Sequence, residues 1–356
     1  MTGSSWKRIL FLLLFLPLFL VISSCSAKYL KYENEDKLNR IDEFDSAVKI
    51  TSADDKTVNP APSAPKTAQQ LAKEAKDAKE IARARRKRKK ADKKTKESSD
   101  SSVSGKHEPD IEDGEGFVGR RPQIDPFKVG ESVTHSVKYF KMHAGTLTLK
   151  VDPFVEVNGR KSYSFGAEVK TASVFDSFYS AHDTVLTQVD FDQLMPRAFT
   201  MHVKETGQLR EARSFFDDDK LTATYWEKKV TEKNGAEEKK QHWDILPFSQ
   251  NVFSALFYMR TFKWDLGKTY AFRVADDEQN LVFTAKAIRR EVLDTELGEM
   301  KAIVIKPEIT VKGVFKPVGD IFIWLSDDDR KLVLRIEAKV RIGTLVSEVV
   351  SMTPGN

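Results

Sequence analysis

Cys25 is the only cysteine in 356 residues, which excludes a disulfide framework and any metal site built on clustered thiolates. A fold without such staples must stand on its hydrophobic core. Long apolar runs are equally scarce. The one that exists, residues 9–22, falls short of the roughly 20 residues a transmembrane helix needs. No GxSxG elbow marks a nucleophilic serine, no glycine-rich loop is suited to a phosphate, and no histidines stand at HxxxH spacing. Basic charge is also missing where it would matter most. The formal net charge is +5, but residues 71–97 alone hold 13 Lys and Arg against 5 Asp and Glu. The remainder of the chain therefore carries −3, and no basic binding face on a folded body follows from the overall charge.

What is present at the N-terminus has the anatomy of a secretory signal. Lys7 and Arg8 precede the apolar run, which ends in Ile22-Ser23-Ser24-Cys25. An aliphatic residue, two small residues and then cysteine resemble the lipobox of bacterial lipoproteins, in which the thiol takes up a diacylglycerol and the mature chain begins there. The reading is a signal peptide over residues 1–24 and acylation (palmitate-type lipid) at Cys25. The alternative is an uncleaved anchor helix with an incidental cysteine. Ser26, not Asp, follows Cys25, which points to the outer membrane, facing the periplasm.

Residues 25–125 read as a lipid-anchored flexible linker. VNPAPSAP (58–65) is a polyproline-like spacer. Residues 67–97 are rich in Ala, Lys, Glu and Arg and have high helix propensity without a wide apolar stripe. Within them Arg83, Arg85, Arg86, Lys87, Arg88, Lys89 and Lys90 form a polycation. Export removes nucleic acid as its partner. Anionic lipid head groups, lipopolysaccharide phosphates or peptidoglycan carboxylates would meet it instead, at about 1 kcal/mol per basic residue near such a surface. A purely solvated linker is the competing reading.

From residue 126 to 351 the texture is that of a β domain. Val133, Val137 and Tyr139 alternate before Ala144-Gly145; Leu147, Leu149 and Val151 follow, and Asn158-Gly159 marks a hairpin turn. Similar runs recur at 163–169, 184–191, 198–205, 211–216, 222–230, 270–274, 281–288, 300–309, 321–325, 332–340 and 344–350. Helix is expected only at 251–262, with a single turn near 174–179. Alternation with so few crossover helices predicts an all-β fold. This would be one large antiparallel β-sandwich or a curved, partly closed barrel with one short helix, preceded by the disordered or helical linker.

Three stretches carry a family resemblance: VGESVTHSVKYFKMHAGTLTL (129–149), SALFYMRTFKWDLGKTYAF (254–272) and IFIWLSDDDRKLVLRIEAKVRIGTLVSEV (321–349). Their order and spacing resemble the bacterial exported-protein family DUF3108, a domain of unknown function. The resemblance implies an envelope β domain with no established activity, and it supplies no catalytic residues. A looser similarity, in compartment and β-richness, is to periplasmic lipoprotein carriers whose curved sheet wraps an acyl-binding cavity.

Candidate chemistry is sparse. Asp327-Asp328-Asp329-Arg330 and Asp217-Asp218-Asp219 read as hairpin tips in preference to cation sites, since EF-hand spacing is absent. His107, His135, His143, His182, His202 and His242 read as surface or hydrogen-bonded side chains, His182-Asp183 being only an adjacent pair. Phe175, Phe178 and Tyr179, with Phe253, Phe257, Tyr258, Phe262 and Trp264, read as core or as the lining of an apolar cavity. No catalytic residue, metal or cofactor is expected. The leading functional reading is a non-enzymatic envelope lipoprotein whose β domain binds a lipid, a glycan or a protein partner. A structural tether between membrane and cell wall through the basic linker is the second, and a hydrolase of envelope polymers the third.

Overall fold

The computed structural model describes residues 30, 38–53, 122, 124–175, 179–311, 314–316, 321–339 and 343–356. Cys25, His107, Phe178 and the basic run from Arg83 to Lys90 lie outside them. In chain order the elements are α1 (Asp42–Ala47), β1 (Ile50–Ser52), β2 (Glu131–Tyr139), β3 (Met142–Val157), β4 (Arg160–Thr171), β5 (Ala181–Asp190) and β6 (Pro196–Glu205). Next come β7 (Gln208–Asp217), β8 (Thr222–Thr231), β9 (Gly235–Asp244), α2 (Val252–Tyr258), β10 (Thr269–Asp276), β11 (Gln279–Thr295) and β12 (Gly298–Val311). β13 (Val314–Lys316), β14 (Ile321–Ser326), β15 (Val333–Lys339) and β16 (Thr344–Pro354) complete the set.

The strands form one antiparallel sheet in the order β10-β11-β12-β14-β15-β16-β2-β3-β4-β5-β6-β7-β8-β9, with β1 paired to the end of β3 and β13 to β12. One core cluster takes side chains from both halves of this path: Phe165, Val185 and Val203 from β4–β6, and Phe272, Ile303 and Ile323 from β10, β12 and β14. A sheet this wide can bring those strands onto one core only by curling. The fold is all-β, and of the two architectures open on sequence it is the curved barrel that does not close. Among the described residues no ladder joins β9 to β10. Side chains span the seam instead: Lys239 Nζ donates to Asp277 Oδ1 at 3.0 Å, and Gln241 Nε2 to Asp277 and Glu278 at 3.1 and 2.9 Å. Further along, Gln250 is stitched to β10 through the Arg273 carbonyl and the Ala275 amide.

Alternating strand direction gives the barrel two ends. The upper end holds the β2–β3, β4–β5, β6–β7, β8–β9, β10–β11 and β15–β16 connections; the lower end holds β3–β4, β5–β6, β7–β8, β11–β12 and β14–β15. The helical segment closes the lower interior. Asn251 caps α2 reciprocally with Ser254 (2.7 and 2.9 Å), and its Nδ2 donates to Thr187 Oγ1 of β5. Phe257 then stacks on Phe165 at 4.3 Å, Phe253 on Phe199 at 5.3 Å, and Tyr258 meets Phe272 edge-on. Phe253, Phe257, Tyr258 and Trp264 are buried; large aromatic surfaces removed from water dominate such a core. Just beyond, Arg260 forms a bidentate pair with Glu131 (2.6 and 2.9 Å) and donates to the carbonyls of Arg330 and Pro126, while Arg330 also pairs with Glu131. This clasp ties α2, the start of β2 and the β14–β15 turn together.

Two sequence expectations are corrected. First, residues 25–125 are not linker throughout. Leu38, Ile41, Phe44 and Val48 are buried, β1 pairs with Val155–Val157, and Phe44 meets Trp226 of β8 edge-on. Their spacing of three, three and four puts one apolar stripe on a helical turn; acidic neighbours mask it in the average composition. Those acids are used: Glu43 accepts from Trp226 Nε1 at 2.9 Å. Second, the first hairpin turns at Phe140-Lys141, both with positive φ, and not at Ala144-Gly145. Gly145 lies inside β3, where a Cβ would sit 2.2 Å from the Lys170 carbonyl oxygen, so close strand approach explains the glycine. Strand β9 was absent from the sequence reading because GAEEKKQHWD has almost no apolar alternation; it is an edge strand with most of its residues exposed.

Candidate functional site

Period-two alternation puts Val185 and Val203 on the inner face, and the same register carries charged residues inward above them. Asp183 sits opposite Val203, and Arg210 sits opposite Val203 from the other side. Ala212, also in the core, is opposite Glu227; Tyr225 and Gln241 are paired across β8 and β9. Asp276 follows the inward Phe272 and Val274 on β10. Asp183, Glu205, Arg210, Tyr225, Glu227, Gln241 and Asp276 thus line the upper interior beside the seam, over an aromatic lower half.

Within this lining Arg210 is the hub. Its Nε donates to Glu227, its Nη2 donates to Tyr225 Oη at 2.8 Å, and the Tyr225 hydroxyl donates to Glu227. Burial works against the guanidinium charge, and Tyr225 and Glu227 outweigh it. Asp183 takes the Lys204 amide at 3.1 Å. Burial, reinforced by the neighbouring Glu205 charge, pushes Asp183 up to about 8, and burial raises Glu205 against the hydrogen bonds it makes with Tyr179 and Asp183. Burial, with Asp277 beside it, raises Asp276 to about 7 against the pull of Arg210 and Lys239. Its Oδ2 is sealed from solvent and meets no donor. The result is a pair of carboxyls, Asp183 and Asp276, that exchange protons near neutrality, next to a fixed guanidinium and a phenol. Such groups donate to and accept from hydroxyls and amides.

Other sequence candidates fall elsewhere. His182 and Asp183 alternate to opposite faces: His182 pairs outward with Glu168 at 2.9 Å. His135 is fully buried against Ser347, and burial pushes it down to about 4. His143, His202 and His242 bond Ser136, Glu211 and Thr224. Asp328 accepts from Ser326, Arg330 and Lys331 as a turn residue does, and Asp327 pairs with Arg290. Asp218 is held by Arg197 at 2.7 Å with Arg160 nearby, and Asp217 binds Lys220. Phe175 is half-buried after β4. Sequence reasoning passed over Glu205, Arg210, Glu227 and Asp276. Their signal was present, as charged residues at inward strand positions, but it needs the strand register to be seen.

Residues 134–350, well over half of the chain, match the family model DUF3108, described as a protein of unknown function. The chain belongs to the DUF3108 family. No curated protein matches this DUF3108 chain significantly. Among solved structures, a β-barrel-like protein of domain of unknown function DUF1849 from Brucella abortus is similar over 64% of this chain and 98% of its own, with 8% identity and a TM-score of 0.40. An exported protein with a YmcC-like fold from Bacteroides fragilis is similar over 64% and 97% (10% identity, TM-score 0.29). A protein described as a lipoprotein from Parabacteroides distasonis is similar over 66% and 98% (9% identity, TM-score 0.28).

Proposed function

We propose that this DUF3108 protein is a lipid-anchored, non-enzymatic module of the bacterial cell envelope that binds a polar ligand, an envelope glycan, in the upper interior of its barrel. The observation that carries this reading is the division of the interior. Aromatic side chains around α2 fill the lower half, while Asp183, Glu205, Arg210, Tyr225, Glu227 and Asp276 line the upper half on its seam side, with apolar residues such as Val169, Leu281 and Leu345 completing the wall. An acyl chain needs an apolar cavity; this lining matches hydroxyl and amide groups instead. The anchor rests on Ile22-Ser23-Ser24-Cys25 behind the apolar run.

Isothermal titration of the full chain with peptidoglycan fragments and lipopolysaccharide oligosaccharides tests the ligand. Binding that falls at least tenfold in Arg210→Ala and Asp183→Ala supports the reading; no binding by the unaltered protein, or an acyl lipid co-purifying in native mass spectrometry, sinks it. The convergent carboxyls also favour a second reading, hydrolysis of the same polymers, because a carboxyl held near neutrality suits general acid–base work. Release of reducing ends that disappears in Asp183→Asn would select the hydrolase. For the anchor, Cys25→Ala should abolish palmitate labelling and move the protein from the membrane to the soluble fraction. The tether reading now takes a different form. In the chain the basic residues lie between Ala53, bonded to the Phe154 carbonyl, and Asp125, bonded to Tyr163; the rings of Phe154 and Tyr163 are 5.2 Å apart. Cosedimentation with isolated cell wall that drops when residues 83–90 are deleted would support it.

A further inference from the structure

The N-terminal segment crosses the outer face of the barrel in a defined direction. Asn158 at the lower end bonds Lys49 and the Ala47 carbonyl. Moving toward the N-terminus, Phe44 lies on Trp226, and Leu38 packs on Leu209 and Val230. Leu209 and Val230 face each other at the start of β7 and the end of β8, next to the upper turns. Leu30 packs against the same cluster. It stands five positions after Cys25, a span of at most about 17 Å when fully extended. A lipid on Cys25 therefore holds the upper rim, not the lower end, close to the membrane.

That rim presents the side chains a lipid surface would take. Phe140 and Met142 on the β2–β3 turn are 54% and 56% exposed, and Val174 in the β4–β5 connection is 72% exposed. The Ala172 amide donates to the Ala144 carbonyl at 2.9 Å, keeping the two connections side by side. Phe140 and Lys141 both adopt positive φ (49° and 63°), where a tight hairpin ordinarily takes Asn-Gly. The lower end does use Asn158-Gly159 for its turn; each end has an acidic tip, Asp327-Asp328-Asp329 below and Asp277-Glu278 above, and among the described residues the exposed aromatic, Phe140, belongs to the upper rim. An exposed Phe-Lys-Met turn combines apolar side chains with a cation, the pairing found at lipid head-group level.

We propose that the barrel stands mouth-down on the membrane that holds its anchor, with Phe140, Met142 and Val174 inserted among the lipid head groups. The orientation rests on the lipoprotein reading above. It also turns the polar upper interior toward the membrane surface, so the ligand site opens onto the head-group layer and not onto the bulk periplasm.

Single-cysteine labelling separates the two readings, because a lipidated Cys25 has no free thiol. The full-length chain, matured in cells and reconstituted in phosphatidylethanolamine–phosphatidylglycerol vesicles, would carry an environment-sensitive fluorophore at Met142→Cys, Val174→Cys or Asp329→Cys. The expected result is a several-fold rise in emission at 142 and 174 with quenching by a lipid-borne quencher, and neither effect at 329. Equal water exposure at all three sites on vesicle-bound protein overturns the orientation and leaves the anchor standing. Labelling of Cys25 in the unaltered protein, together with failure to partition into vesicles, overturns both.

Discussion

Glu131 and Arg260 are almost completely buried together, and three backbone carbonyls are organised around them and Arg330. Removing one partner leaves the other charge in the interior without its counterion, which costs about 3–5 kcal/mol. Arg260→Ala or Glu131→Ala should therefore lower the urea midpoint sharply, whereas Arg330→Ala, whose side chain is partly solvated, should cost much less. The carboxyls of the upper interior act in the opposite sense with pH. Asp183 has an ordinary value of 3.8 and is held up to about 8, so the folded chain keeps a proton that the unfolded chain releases. The stability linked to that proton is present in full below the ordinary carboxylate range. It is lost as pH rises through about 8. Asp276, raised to about 7, adds to the same trend. Urea unfolding between about pH 5 and pH 9 should show falling stability. Asp183→Asn should flatten the curve and gain on the order of 2 kcal/mol at its alkaline end; an unchanged slope would show that the carboxyl is not held protonated.

At the scale of elements, the segment carrying α1 and β1 adds a second layer outside the curved sheet. Phe44 buries its ring against Trp226, with Ile41 and Val48 beside it. Phe44→Ala should cost about 3 kcal/mol, as large core truncations do, and hydrogen exchange at residues 50–52 should accelerate with it. Protection that survives the substitution would mean that β1 is held by its ladder alone. The close approach of β3 and β4 is the other sensitive joint. Gly145→Ala places a methyl against the Lys170 carbonyl and should lower the melting temperature by several degrees, whereas Gly159→Asn, at an open turn with φ near 77°, should be nearly neutral.

At the scale of the whole molecule, Ala53 and Asp125 lie next to each other on the barrel although some seventy residues separate them in the chain. Closing a loop between neighbouring ends depends only weakly on its length. Replacing residues 56–108 by a short Gly/Ser linker should leave the melting temperature of the barrel within about 2 °C, while a drop of ten degrees or more would mean that the insert supports the fold. The short N-terminal connection matters more for placement. With Leu30 docked beside Leu209 and Val230, the proposed anchor at Cys25 would give the domain no wide working radius and would instead set which end faces the lipid.

How much of this was legible depends on whether the signal is local. Alternation of apolar residues along strands such as 163–169 and 321–325 set the all-β class, because burial on one face of a sheet forces that period. Asn251 through Phe262 announced α2 by its helical stripe, and the three family stretches announced DUF3108. Cys25 and its lipobox are likewise written in consecutive residues. Strand β9 was not legible, since an exposed edge strand needs no apolar face. The upper interior was not legible either. Asp183, Glu205, Arg210, Glu227 and Asp276 come from five different strands, and only ladder register and sheet curvature bring them onto one inner wall. The same holds for the anchor. Sequence alone carries the proposal of a lipid at Cys25, in the resemblance of Ile22-Ser23-Ser24-Cys25 to a lipobox. Tertiary structure decided where the N-terminal segment runs, because Leu30, Leu38 and Phe44 pack along one line across the barrel and place Leu30 beside its upper turns.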